Sequence, residues 1–379
     1  MTNKFISIAA PGVQLLKPYL PGKPVEELER ELGISNSIKL ASNENPLGPS
    51  PKAVSAAQSV IGNVNLYPDG GGFKLSEALA AKHECSIDSI TLGNGSNDVL
   101  ELIARAFLTA DHSAVFSQYA FAVYPIVTQA IGAKANEAAA YSADHPDMPY
   151  GHDLDAIYNA IDESTRVVFI ANPNNPTGTW LELSAIHEFL DKVPGNVIVV
   201  LDEAYYEYMP DELKPDSNAL VKQYDNLILT RTFSKLYGLA GLRIGYSVSH
   251  PDVADLINRV RQPFNANLVA QEAALAALTD DEHVQNSVSV NNKGLQQLAN
   301  GFKELGLSFI PSIGNFITVD IKREGLPMYD ALLREGVIVR PVANYQMPNH
   351  LRITVGSEEE NERVLLALKK VLGEAGKAR

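Results

Sequence analysis

One cysteine, Cys85, stands in a chain of 379 residues, so no intramolecular disulfide can form and no site built on several thiolates can exist. Positive charge is scarce as well: 31 Lys and Arg against 45 Asp and Glu leave a formal net charge of −14. A general nucleic-acid binder grips phosphates with an excess of cations, and the balance here is the reverse. Any anionic ligand must therefore be held by a local cluster of donors, because the overall field repels it. Long apolar runs are missing too. The aliphatic stretch "VIVVL" near the middle has the length of a buried strand and cannot span a bilayer. The apolar part of "MTNKFISIAAPGVQ" is too short for a signal peptide and is soon interrupted by Pro11. Repeats and low-complexity tracts are absent. These absences leave a soluble, cytoplasmic chain, without membrane, nucleic-acid or metal partners, as the expectation.

What is present is ordinary globular composition, 45% apolar and 20% charged, with enough length for a sizeable core and two domains. The first 45 or so residues are rich in Pro and Gly ("LKPYLPGKP", "SNENPLGPSP") and predict an extended arm with one short helix around Val25 to Leu32. From Ser89 onward, short β-branched runs ("SITL", "AVFS", "VVFIA", "VIVVL", "LILTR") alternate with helical spacing such as Asp98 to Leu108. That alternation predicts an α/β fold with a mainly parallel sheet and helices on both faces. After about residue 265 the texture changes: helical stretches over Leu268–Leu278 and Val284–Leu305 precede "NFITVDI", "VIVR" and "LRITV". Ser357 and Glu360 announce a last helix as a capping box. The expected division is an arm (1–45) packing on the small domain or a partner subunit, a large domain (46–265), and a smaller C-terminal α+β domain (266–379).

Each strand candidate of the large domain runs directly into an unusual polar motif: "GNGSND", "QYAF", "NPNNPTG", "DEAYYEY" and "TFSK". Ligands of open α/β sheets bind outside the carboxyl ends of the strands, so the five motifs converge on one place. In "GNGSND", N–H groups near Ser96 and Asn97 suit an anion, although for this motif alone a plain strand-to-helix turn capped by either residue is the better account. Asp202 follows five apolar residues; it caps a helix or stands as a fixed anion facing a protonated ring nitrogen. Tyr205 could project a phenol toward the same ligand, and Asn175 of the doubled Asn-Pro motif an amide toward a ring oxygen. In "TRTFSKLYGLAGLRIGY", Thr232, Ser234 and Arg243 form a set suited to a phosphate dianion. Lys235 lies among them, close to positive charge and partly desolvated, and both effects lower an amine's pKa until it can form a Schiff base with an aldehyde. An aldehyde carrying a phosphate, a protonatable ring nitrogen and a ring hydroxyl describes pyridoxal phosphate.

With these motifs in place, the chain resembles the fold-type I pyridoxal-phosphate aminotransferases, and among them the branch acting on histidinol phosphate. The resemblance runs over nearly the whole length, through "LKPYLPGKPVEELERELG", "KLASNENPLGPSP", "NLYPDGG", "NPNNPTG", "DEAY", "TFSKLYGLAGLRIGY" and "GVIVRP…NHLRITVG". It implies Lys235 as the Schiff-base lysine, Asp202 as partner of the pyridine nitrogen, Tyr205 and Asn175 on the ring oxygen, and Tyr119 stacked on the ring. Ser96, Asn97, Thr232, Ser234 and Arg243 would hold the cofactor phosphate, and Tyr67 would reach the phosphate of a neighbouring subunit, implying a homodimer with shared sites. Tyr19, Asn315, Arg340 and Arg352 would line the substrate pocket. The implied reaction is a ping-pong exchange between L-histidinol phosphate with 2-oxoglutarate and imidazole-acetol phosphate with L-glutamate. An aromatic amino-acid aminotransferase or a phosphothreonine decarboxylase with the same cofactor is the alternative. One position departs from the pattern: where some members carry an arginine as a further phosphate ligand, this chain has Asp320.

Overall fold

The computed structural model describes residues 3–18 and 22–377. Seven strands form the main sheet: β2 (Ile90–Gly93), β3 (Ser113–Ser117), β4 (Lys134–Ala138), β5 (Thr165–Ala171), β6 (Ile198–Asp202), β7 (Leu227–Thr232) and β8 (Gly245–Ser249). Their order across the sheet is β2-β8-β7-β6-β5-β3-β4. Only β8 runs against its neighbours; the other pairings are parallel. Strands β2, β3, β7 and β8 are buried along their whole length, as expected where helices cover both faces. Two apolar clusters fill those faces, one around Val99, Ile103, Tyr124 and Phe169, the other around Leu79, Val168, Leu201 and Leu229.

The second sheet is antiparallel, in the order β12 (Arg340–Pro341), β13 (His350–Thr354), β10 (Phe316–Asp320) and β9 (Ser308–Phe309). Helices Asp281–Glu304 and Glu358–Lys377 cover it around Leu298, Phe302 and Leu368. The capping box is present at the start of the last helix: Glu360 N–H donates to Ser357 Oγ at 3.2 Å, and Ser357 N–H to Glu360 Oε2 at 2.8 Å. A short parallel pair, β1 (Ile38–Lys39) with β11 (Val337–Ile338), fastens the N-terminal segment here, and Leu40 joins this core. Helix Leu268–Ala277 buries Ala270, Ala273, Ala274 and Ala277 against the large sheet's helices, so that core extends past residue 265.

β4 and β8 have no counterpart among the sequence-derived strands. β4 is an exposed edge, "KANEA", without an apolar run. β8 begins at Gly245, inside a glycine-rich stretch that reads as a turn. Its reversed direction brings its first residues, and Arg243 just before them, to the rim where β5, β6 and β7 end.

Candidate active site

Asp202 is the last residue of β6 and is 4% exposed. Tyr124, fully buried and stacked on Phe169 with ring centroids 4.9 Å apart, donates its phenol to Asp202 Oδ2 at 2.8 Å. Thr230 on the neighbouring β7 donates to Oδ1 at 3.0 Å. Burial pushes the carboxyl up to about 6, while these two hydroxyls and the Ala204 N–H favour the anion. A cation placed opposite would restore ionisation.

Lys235 follows β7 by three residues. Its Nζ donates to the Ser42 carbonyl at 2.7 Å. Desolvation first, then the guanidiniums of Arg352 and Arg243 against the opposing Glu44, bring its amine down to about 7. The loop carrying it is fixed by Gly238, which has φ +68°; a Cβ there would lie 2.2 Å from the Gly48 carbonyl oxygen. The "SNENPLGPSP" segment therefore presses on the lysine loop, and only glycine fits the contact.

Ser96 and Asn97 open helix Ser96–Phe107, whose first N–H groups face the same rim. Gly95, at φ +86°, leaves room for Arg243, since a Cβ would sit 2.3 Å from Nη2. Arg243 donates from Nη1 to Ser234 Oγ at 3.3 Å and to the Ala240 carbonyl at 3.0 Å. Thr232 Oγ1 accepts from Ser234 N–H at 3.1 Å. Two hydroxyls, a guanidinium and a helix N-terminus thus gather at one end of the sheet, a donor set suited to an anion.

A cavity of about 420 Å³ connects these groups, with Ser96, Asn97, Asn175, Asp202, Tyr205, Thr232, Ser234, Lys235, Arg243, Arg340 and Arg352 all in its wall. Arg352 lies on β13 opposite Arg340 on β12 and donates to Asn175 Oδ1 at 2.5 Å and to the Ala41 carbonyl at 2.7 Å. Asn175 follows β5 in a loop that staples itself: Asn172 Oδ1 accepts from Leu181 N–H at 2.9 Å, and Asn174 Nδ2 donates to Thr177 Oγ1 at 2.8 Å. Tyr205 is buried and receives a bond from Asn43 Nδ2 at 2.8 Å; burial pushes its phenol up to about 12.

Among the described residues, three sequence-derived candidates do not join this wall. Tyr119 turns away, edge-on to Tyr150 at 5.2 Å and among Ile310, Val342 and Met347; Phe121, two residues on, lines the cavity instead. Asn315 is buried as a structural tie, donating to the Asn43 carbonyl at 2.9 Å and accepting from Val355 N–H at 2.9 Å. Tyr19 lies outside the described residues. Tyr67 stands away from the cavity, 82% exposed and stacked on Phe264 at 4.6 Å. Asp320 ends β10, accepts from Lys322 N–H at 2.7 Å, and is not part of the wall. Asn43, Phe121, Tyr124 and Thr230 escaped the sequence reading. For Phe121 and Tyr124 the signal was their place directly after a strand, as for Tyr119; Asn43 was hidden in a segment that reads as a loop.

A desolvated lysine, a strand-end carboxylate and an anion cradle around one cavity define a lysine-centred enzyme of the aminotransferase class. The chain belongs to the family of class I and II aminotransferases, whose model matches residues 35–368. It is 57% identical over 377 residues to histidinol-phosphate aminotransferase 2 of Pseudomonas fluorescens, covering 99% of this chain and 100% of that protein. It is 54% identical to histidinol-phosphate aminotransferase 1 of Nitrosococcus oceani, over 98% of both chains. Among solved structures it is similar to the histidinol-phosphate aminotransferase of Sinorhizobium meliloti in complex with pyridoxal 5′-phosphate, with a TM-score of 0.87, 28% identity, and 96% and 97% of the two chains covered.

Proposed function

We propose that this chain is a pyridoxal-phosphate transaminase interconverting L-histidinol phosphate and 2-oxoglutarate with imidazole-acetol phosphate and L-glutamate. The observation that carries the cofactor is the opposition of Lys235 and Asp202 across one cavity, beside a cradle that a Cβ at Gly95 would fill. When bound, pyridoxal phosphate supplies an aldehyde for an amine to condense with and a ring that accepts the electrons of the substrate Cα–H bond. The donor set fits each of its parts: Ser96, Asn97, Thr232, Ser234 and Arg243 for the phosphate, Asp202 for the ring nitrogen, Asn175 and Tyr205 for the ring oxygen, and Phe121 for a ring face.

Burial brings the Lys235 amine down to about 7, so near neutral pH it would serve as the nucleophile toward a carbonyl carbon and as the base for a substrate Cα proton. Asp202, held by Tyr124 and Thr230, would hold a proton on the ring nitrogen. Arg340 and Arg352 face each other across β12 and β13. Like charges directly opposite on neighbouring strands repel, and an anion between them removes the cost. With Asp320 outside the wall, these two guanidiniums take the phosphate of one substrate and the carboxylate of the other in turn.

The reading extends to assembly. Ile61, Val64, Leu66, Tyr67 and Phe73 are between 57% and 82% exposed along one stretch. Covering them with a second copy makes a cytoplasmic homodimer in which Tyr67 reaches the partner's cofactor phosphate. The large domain, extended by helix Leu268–Ala277, then carries the cofactor, and the segment at Ala41 and Ser42 with the antiparallel sheet closes the substrate side.

Purified protein supplied with pyridoxal phosphate is tested by borohydride reduction and peptide mapping. The label is expected on Lys235, and Lys235→Ala is expected to lose label and turnover together. A panel of histidinol phosphate, phenylalanine and phosphothreonine then fixes the substrate; preference for either of the latter two overturns the histidinol-phosphate assignment and leaves the cofactor in place.

A further inference from the structure

Asn43 belongs to none of the groups assigned above, yet all its polar atoms are committed. It is 1% exposed and has φ +57°, a left-handed conformation that asparagine tolerates better than most residues. Its N–H donates to Thr354 Oγ1 at 3.0 Å, and the same hydroxyl donates back to Asn43 Oδ1 at 3.0 Å. Its carbonyl accepts from Asn315 Nδ2 at 2.9 Å. The Thr354 clamp fixes the amide: Oδ1 is the acceptor side, so Nδ2 must be the group facing Tyr205, at 2.8 Å from the phenol oxygen.

That orientation has a chemical consequence. The Tyr205 oxygen accepts from Asn43, so its own proton must be donated in another direction. Among the described residues the Tyr205 hydroxyl bonds only to Asn43, and Tyr205 lines the cavity. We propose that Asn43 is a positioning residue that aims the Tyr205 O–H into the cavity, at the ring oxygen of the cofactor. The inference rests on the pyridoxal-phosphate reading. It adds a connection between domains, because Thr354 sits on β13 two residues from Arg352, and adjacent residues of the same segment receive Arg352 (at Ala41) and Lys235 (at Ser42). The tyrosine proton is thereby aimed by the strand that carries the substrate-binding arginine.

A donor on the ring oxygen stabilises its negative charge and weakens its hold on the neighbouring proton of the lysine–cofactor nitrogen. Removing that aim should raise the pKa of the lysine-linked chromophore. The experiment is a spectrophotometric pH titration of the visible band in the holoenzyme, for the unsubstituted chain, Asn43→Ala, Thr354→Val, Tyr205→Phe and the double variant Asn43→Ala/Tyr205→Phe. Asn43→Ala is expected to raise the pKa by about half a unit or more, and Thr354→Val to move it the same way by less. The double variant should match Tyr205→Phe alone, since Asn43 acts through the phenol. Thr354→Val keeps the test available if Asn43→Ala does not fold. A band that titrates unchanged in both single variants, with only thermal stability reduced, assigns Asn43 a purely structural role and overturns the inference. Additive shifts in the double variant overturn it too. A missing titrating band in the unsubstituted chain overturns the cofactor reading itself.

Discussion

At the scale of single residues, the site works because two groups are held in unusual protonation balance. Desolvation brings Lys235 down to about 7, so its neutral fraction falls as pH drops below that value. Capture of pyridoxal phosphate by the apoprotein should therefore slow about tenfold per unit below pH 7 and level off above it, in stopped-flow absorbance. Asp202 should matter for electron acceptance more than for binding. Asp202→Asn is expected to lower kcat by about a hundredfold or more while the phosphate groups retain the cofactor, checked by steady-state kinetics alongside cofactor titration. Asp202 stood out in the sequence because it follows "VIVVL" directly, and Lys235 because it stands among the hydroxyls of "TFSK". Tyr119, given to the ring by the resemblance, lies outside the cavity wall. Two aromatics lie two residues apart beyond β3, and backbone direction after the strand, invisible in sequence, selects Phe121 for the cavity.

Among secondary-structure elements, apolar strands and helix boundaries were readable and polar edges were not. The helix foreseen over Val25–Leu32 has those bounds, and β5, β6 and β7 fall on the runs that suggested them. β1 and β9 are two residues each, too short to carry a periodic signal, and are defined only by their partners, whereas β11 and β12 split the run "VIVR" that the sequence did offer. The lysine loop tests element packing. Gly238→Ala would place a methyl on the Gly48 carbonyl at a left-handed φ, and is expected to cost more than about 1 kcal/mol in thermal or urea unfolding and to weaken cofactor retention. Ser50 caps helix Pro51–Val60 by accepting from Ala53 N–H at 3.1 Å. Ser50→Ala should cost about 1 kcal/mol without altering the visible spectrum, which separates helix stability from site integrity.

Across the whole molecule, Tyr67 makes assembly testable. If Tyr67 completes the partner's site, Lys235→Ala and Tyr67→Ala homodimers, each impaired, should regain activity when mixed and allowed to exchange subunits, because one hybrid site carries neither substitution. No recovery under conditions where light scattering shows exchange would confine Tyr67 to its own chain. The reversed strand β8 has a consequence of its own. Because the chain leaves the rim at Thr232 and returns to it by Gly245, Lys235 and Arg243 share one short hairpin connection. Inserted residues there would separate the two at once, whereas connections at the far rim of the sheet could lengthen freely. Variation among descendants of this scaffold should accumulate on that opposite side.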